Sequence, residues 1–486
     1  MLLGDIAHRG ATLWPSRTAF IWADRRRTYG ELARRVERLS SVFAAAGVRA
    51  GSRVALLTVN TPEAIETAFA ASRLGACVVP LNTRLAPAEI RFQIEDADAA
   101  YAVVHPVLEP LARESGLLEL THWVIGEETR PDAPAGVTAP RPGADSPIIQ
   151  LYTSGTTGRP KGCLLTNRGW VAATVNAVQG LGITGDDRLL ATLPLFHVAG
   201  YGAVLAHLAM GAAVVFPSGA GPDEAWSLIG EHDVTVAIFP TGTRRALRHP
   251  SARPVRLVFG MAGTERAETL LNLAELGCDY RGVYGSTEAG NFVSISTLAD
   301  ELERPGTVGR PLPAFDVAIE APPGEPGELL VRGPSMMAGY ANLPDATAET
   351  LRGGLLHTGD LMRRDDDGYL YFVDRAKDMI KTGGENVYSA EVERVLLTHP
   401  CVGDAAVLGV PDRRWGEAVK ALVVVREPVT AEELDAYCRD RLGGFKRPRW
   451  YEFAAAIPRN HSGKILKRDL RAAHDPAVAV RLPESS

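Results

Sequence analysis

The chain has 486 residues, more than one hydrophobic core usually serves, so two or more domains are expected. Hydrophobic residues at 46% and charged residues at 23% describe an ordinary folded protein without a disordered bias. The formal net charge of -6 offers no broad basic face and argues against a nucleic-acid partner.

In chain order, the start lacks a basic segment followed by an apolar one; Asp5 and His8 interrupt it, so no leader is expected. Arg25-Arg26-Arg27 reads as solvated surface. Tyr29 to Ala46 predicts an amphipathic helix with Leu32, Val36, Leu39 and Phe43 on one stripe, stopped by Gly47. A buried strand from Arg53 to Val59, a helix from Pro62 to Leu74 and a strand from Ala76 to Pro80 follow. The rhythm returns near Ala100–Val104, Val214–Phe216 and Val234–Phe239, which predicts largely parallel sheets covered by helices. Gly126 to Pro147 reads as a surface connection. Val198 to Val215 carries Gly200, Gly202, Gly211 and His207, and suits a buried helix and strand better than a membrane span.

From Val308 the pattern shifts to short strands and turns, with Asp316–Glu320 and Glu328–Arg332 forming a small β-rich section. Gly368 to Val373 predicts a strand, and Asn386 to Leu397 a helix. Ala405–Val410, Ala418–Val425, Thr430–Leu442 and Trp450–Phe453 continue as strand, strand, helix, strand. The expected fold is a large α/β domain over residues 1–376 with a small β-rich subdomain, then a mobile α+β domain over 377–486. Five scattered cysteines, Cys77, Cys163, Cys278, Cys401 and Cys438, show neither metal-ligand spacing nor a disulfide framework and fit a reducing cytoplasm.

The most informative stretch runs from Tyr152 to Gly162. It places Thr153, Ser154, Thr156 and Thr157 among Gly155, Gly158 and Gly162, with Lys161 near its end. A strand ending in such a loop offers open backbone N–H groups and short donors to a polyphosphate. It is not a Walker A loop, because Lys161 follows a proline; the plain alternative is a flexible connector. Leu193-Pro-Leu-Phe-His197 and Val283-Tyr-Gly-Ser-Thr-Glu288 also follow predicted strands, where open sheets bind ligands. Thr358-Gly-Asp360, Asp374-Arg375 and the late Lys464 add two carboxylates and two cations. Taken singly, Glu288 could cap a following helix, Asp360 could fix a turn and Lys464 could be solvated.

Seven such segments stand in one order: 147–162, 193–197, 283–288, 358–360, 374–378, 381–386 and 463–464. In that order they resemble the adenylate-forming family of acyl-CoA synthetases, aryl-CoA ligases, luciferases and adenylation domains, over almost all of Thr28 to Leu470. The resemblance implies ATP, Mg²⁺ and CoA as cofactors and assigns roles to residues. Thr153, Ser154, Gly155, Thr156, Thr157, Gly158 and Lys161 are implied to hold the β- and γ-phosphates. Tyr284 lies against adenine, Thr287 meets the α-phosphate, Glu288 holds Mg²⁺, and Asp360 receives the ribose hydroxyls with Arg375 beside it. Lys377 is the implied hinge, Lys464 the adenylation lysine and Gly384 part of the thiol path. His197 joins Lys464, Thr287 and Glu288 in the implied catalytic set.

Phe196, His197, Tyr201, Gly202, Phe239, Thr241, Met261, Ala262 and Tyr284 are the implied acyl lining. Met261 stands where the family usually has a small residue, which favours a medium-sized or flat acid. The implied reaction joins an aryl or medium-chain monocarboxylic acid to CoA through acyl-AMP. Loading of a carrier-protein phosphopantetheine arm, and a malonate-like acid paired with Arg244, Arg245 or Arg256, stay open as alternatives, as does a nucleotide-binding regulator without turnover. Neither nucleic acid nor a membrane span is expected, and a homodimer is left open.

Overall fold

The computed structural model describes residues 2–126, 142–153, 160–217, 222–238, 255–265, 267–322, 324–382, 385–459 and 465–482. The chain divides into two compact units. The first comprises Met1–Ala318, Leu330–His357 and Asp366–Leu370; the second comprises Ile319–Leu329, Thr358–Asp365 and Tyr371–Ser486.

Local sequence explains the first unit's helices. Thr28 and Glu31 form a reciprocal capping box at the start of Tyr29–Ala45, and Gly47, at a φ of 95°, turns the chain out of it. Leu32, Val36, Leu39 and Phe43 are all buried, the stripe expected from their spacing. Pro62 opens the next helix, Pro62–Arg73, where a missing N–H leaves no unmet bond.

One sheet of this unit runs Gly339–Tyr340, Lys161–Thr166, Pro147–Thr153, Cys77–Pro80, Arg53–Leu57, Tyr101–Val104, Thr121–Val124. A second carries, in order, Thr307–Pro311, Asn291–Thr297, Asp279–Ser286, Leu257–Met261, Val236–Ile238, Arg188–Leu190, Ala213–Phe216, Thr18–Trp22 and Arg25–Thr28. The interiors of both are parallel, as the alternating pattern predicts. Their margins are not. Pro147–Thr153 pairs antiparallel with Lys161–Thr166, and Asp279–Ser286 antiparallel with Asn291–Thr297. The reason is chain length: a parallel crossover needs about a dozen residues or more, and neither connection reaches that. Glu288 therefore caps no helix, because a strand follows it.

The second unit is α+β. Val402–Asp412 and Gly416–Val425 form its long antiparallel pair, Trp450–Phe453 adds a parallel strand, and Val480–Arg481 an antiparallel one. Val392 and Leu396 of the helix Ser389–Leu397, with Leu434 of Ala431–Arg439, pack on Val407, Val419, Ala421, Val423 and Tyr451. The helix expected from Asn386 begins later, because Thr382↔Glu385 and Ile380↔Val387 pairing draws residues 385–387 into a short strand. Among the described residues, no helix is long and apolar enough to cross a membrane.

Candidate functional site

The two antiparallel margins of the first unit carry the polar segments singled out above. Thr153 lies opposite Lys161 in register, closing the first pair. Behind them, Gly162 is obligatory for space: a Cβ there would stand 2.5 Å from Gln150 Nε2. Gln150 in turn donates to Tyr152 Oη at 2.9 Å, and Tyr152 donates to Asp96 at 2.7 Å, so the pair stands on a hydrogen-bonded base. In the second margin the register slips between Tyr284 and Gly285, and a Cβ on Gly285 would lie 1.9 Å from Asn291 O. The glycine of that segment is a packing requirement as much as a ligand feature.

The two margins meet at Glu288. Tyr340 Oη donates to its Oε1 at 2.9 Å, and Thr153 Oγ1 does so at 3.4 Å. Lys161 Nζ lies 4.8 Å from the centroid of the Tyr340 ring. Burial and the neighbouring carboxylate push the Tyr340 hydroxyl well above its usual range, so it stays a donor. Tyr340 is the residue sequence reasoning missed: it sits 52 residues beyond Glu288 in a two-residue strand, and no local pattern marks it. The cluster offers oxygen donors of the kind a hard cation takes, with one half-buried carboxylate and two neutral oxygens beside it.

Phe196 and His197 are half-buried, edge to face with centroids 4.7 Å apart, and His197 precedes the helix Val198–Ala209. Tyr284 and Thr287 are also half-buried, and Ala262 is buried. Two expected lining residues sit differently. Tyr201 is fully enclosed against Trp170, ring centroids 5.9 Å apart, and offers no open surface. Gly202 backs onto Asn291, whose Nδ2 would lie 2.1 Å from a Cβ. Met261 ends its strand and is 67% exposed. Arg256 is also accounted for: its Nε and Nη2 grip Asp187 at 2.9 and 2.7 Å, and Asp187 is buried. That fork is spent on structure, not available to a second substrate carboxylate.

Beneath Gly263, the buried Glu301 accepts from Ser296 Oγ at 2.6 Å and from the Gly263 amide at 3.3 Å. Burial, with the charges of Glu265 and Asp300, raises its carboxyl to about 7 from 4.5. A raised acid favours the protonated fold, so its contribution is full below the unfolded value and is lost as pH rises through the folded one. Relative to Glu301→Gln, the wild type should lose up to about 3 kcal/mol of stability between pH 4.5 and 8. Denaturant titrations across that range check this; parallel pH curves for the two proteins would mean that Glu301 is ionised in the fold.

In the second unit, Asp360 is almost wholly buried and pairs with Arg375 Nε at 2.6 Å. Gly359, at a φ of 68°, receives the amide of Ala376 on its carbonyl, tying this strand to the residue before Lys377. The adjacent Asp374 takes no part in that pair; it accepts from Ser389 Oγ at 2.7 Å. Loss of solvation, with Arg375, Arg471 and Arg468 nearby, lowers the Lys377 ammonium below its usual range. The chain on either side of 460–464 is braced: Arg459 bridges to Ile465 and grips Asp404 with two contacts of 2.8 Å, and Lys467 pairs with Glu393 at 2.8 Å. Ser154, Gly155, Thr156, Thr157, Gly158, Phe239, Thr241, Arg244, Arg245, Gly384 and Lys464 lie outside the described residues.

Known proteins match at both levels. The family model described as AMP-binding enzyme matches residues 7–341, and that of the AMP-binding enzyme C-terminal domain matches residues 391–464. A feruloyl-CoA synthase of an Amycolatopsis species is 38% identical, covering 96% of this chain and 98% of its own. The o-succinylbenzoate CoA synthetase of Bacillus subtilis, solved with its acyl-adenylate intermediate, superposes with a TM-score of 0.89 at 32% identity, over 97% of this chain and 98% of that one. The same enzyme solved with ATP and a magnesium ion gives a TM-score of 0.88 at 32% identity, covering 96% of this chain and 99% of that one. With both domain models matched in order and identity sustained along nearly the whole chain, the protein belongs to the AMP-binding enzyme family and is an AMP-forming acid–thiol ligase.

Proposed function

We propose that this ligase activates an uncharged aryl or medium-chain monocarboxylic acid with ATP as acyl-AMP, releases pyrophosphate, and passes the acyl group to the thiol of CoA in the cytoplasm. The observation that carries the reading is the meeting of the two hairpin margins, with Glu288 held by Tyr340 and Thr153 beside Lys161. Acid and phosphate are both anionic, so attack at the α-phosphorus requires positive charge where oxygen charge develops.

In this reading Lys161 and Thr153, with residues 154–158, hold the terminal phosphates. Thr287 meets the α-phosphate, Tyr284 lies on the adenine, and Asp360 with Arg375 receives the ribose. Mg²⁺ on Glu288 would supply a Lewis acid for the phosphate oxygens when bound. Phe196 and His197 border the acid, and Lys464 brings a cation to the reacting carboxylate and phosphate. Residues 377–486 then turn as a body about Lys377, withdrawing Lys464 and admitting the thiol past Gly384.

The monocarboxylate assignment is supported by the pairing of Arg256 with Asp187, which removes one candidate partner for a second carboxylate. An unpaired second carboxylate in an apolar lining would be costly. The name of the feruloyl-CoA synthase relative, an aryl monocarboxylic acyl group, supports the aryl branch.

The test is competition among benzoate-like, cinnamate-like, C6–C12 and malonate-like acids, read as kcat/KM for CoA thioester formation. An aryl or medium-chain acid should lead the malonate-like one by at least about tenfold, the scale of one well-fitted contact. A malonate-like acid in front would overturn the monocarboxylate reading and turn attention to Arg244 and Arg245.

A further inference from the structure

We infer that Asn60 is a positioning residue for the acid site, holding the segment Leu193–His197 in place, an inference that rests on the acid-activating reading above. Asn60 lies between the strand Arg53–Leu57 and the helix Pro62–Arg73, and so belongs to one sheet of the first unit. The segment it holds leaves the strand Arg188–Leu190 of the other sheet and runs into the helix Val198–Ala209. One side chain spans the two. Its Nδ2 donates to Ala191 O at 3.0 Å and to Leu193 O at 2.8 Å, while its Oδ1 accepts from Leu195 N at 3.0 Å.

These three backbone groups belong to residues outside any strand or helix, where no ladder bond meets them. A carboxamide presents two donors and an acceptor on one flat group, which is what two carbonyls and one amide require. Aspartate has the same shape but would turn a negative oxygen on Ala191 O and Leu193 O. Alanine would leave all three groups to water.

The rings of Phe196 and His197 are fixed from both ends as a result. At the far end, Tyr201 N donates to His197 O at 3.0 Å, starting the helix. At the near end the backbone is held by Asn60 two residues before His197, at Leu195. Asn60 would act through the path of the backbone that carries the two rings, since its carboxamide is engaged by Ala191, Leu193 and Leu195. Displacements of about 1 Å at such a site change rates by up to about a hundredfold.

The experiment uses the full-length chain with Asn60→Ala and Asn60→Asp. Hydrogen exchange of a peptide spanning 191–197 reads the clasp directly, and KM for acid, ATP and CoA with kcat reads its consequence. Exchange in 191–197 should accelerate in both variants while the helix Tyr29–Ala45 keeps its protection. The KM for acid should rise about tenfold, more for Asp than for Ala, with the KM for ATP within about twofold of wild type. Unchanged exchange in 191–197 would overturn the inference whatever the activity. Faster exchange with acid KM unmoved, or with all three KM values rising together, would make Asn60 a purely structural clasp and equally overturn it. Should the wild type form no thioester from any acid offered, the proposed reaction fails, while the exchange measurement still decides whether the clasp exists. If Asn60→Ala does not fold, the isosteric Asn60→Asp carries both measurements.

Discussion

Replacing Lys464 by alanine is expected to reduce adenylate formation by roughly 3–4 kcal/mol, about two to three orders of magnitude, the scale of one electrostatic donor lost from a transition state. Thioester formation from supplied acyl-AMP and CoA should stay near the wild-type rate, because in the proposed reaction the lysine serves adenylation alone. The separation is the informative part. A bulky residue in place of Gly384 should produce the opposite pattern, with pyrophosphate release preserved and thioester formation lost. Assaying acid-dependent pyrophosphate release and acyl transfer from acyl-AMP separately decides the matter. Equal loss of both half-reactions in both variants would refute the assignment of the two residues to two working arrangements.

The second large effect is expected from Glu288→Gln. The amide keeps the shape and an acceptor oxygen for Tyr340, whose hydroxyl donates at 2.9 Å, so thermal stability should move by no more than about 2 °C. Adenylation should fall by about two to three orders of magnitude, since the charge that would hold Mg²⁺ is gone. The Mg²⁺ concentration giving half-maximal rate should rise by about tenfold or more, as losses at metal sites commonly do. A slow variant with an unchanged Mg²⁺ dependence would instead make Glu288 an anchor for Tyr340 and Thr153. A large fall in melting temperature would point the same way.

Much of the fold was legible because its signals are local. Leu32, Val36, Leu39 and Phe43 fall on one face by spacing alone, Gly47 stops that helix, and Pro62 opens the next. The ordered polar segments were equally legible, because short residues and glycines at strand ends leave a clear mark in the chain. The direction of the strands flanking those segments was less so. Connection length, weighed against the dozen residues a parallel crossover needs, would have indicated antiparallel pairing at both margins. Asn386 was read into a helix because its register with Lys381 depends on a partner strand, not on its own neighbours.

The sequence by itself determined the class of chemistry through its resemblance to the adenylate-forming family, since an ordered set of polar segments is read along the chain alone. It did not determine which side chains meet. That Tyr340 reaches Glu288 across 52 residues, that Asn60 reaches Ala191 across 131, and that Arg256 closes on Asp187 across 69 follow from how sheets stack and strands register. The same holds for the burial of Tyr201 and Met261, both implied as lining by the family resemblance: one is sealed in the core and the other is exposed. Burial is a property of everything packed around a side chain, and hydrogen-bond partners separated by so much chain are chosen only when the tertiary structure brings them within 3 Å or so.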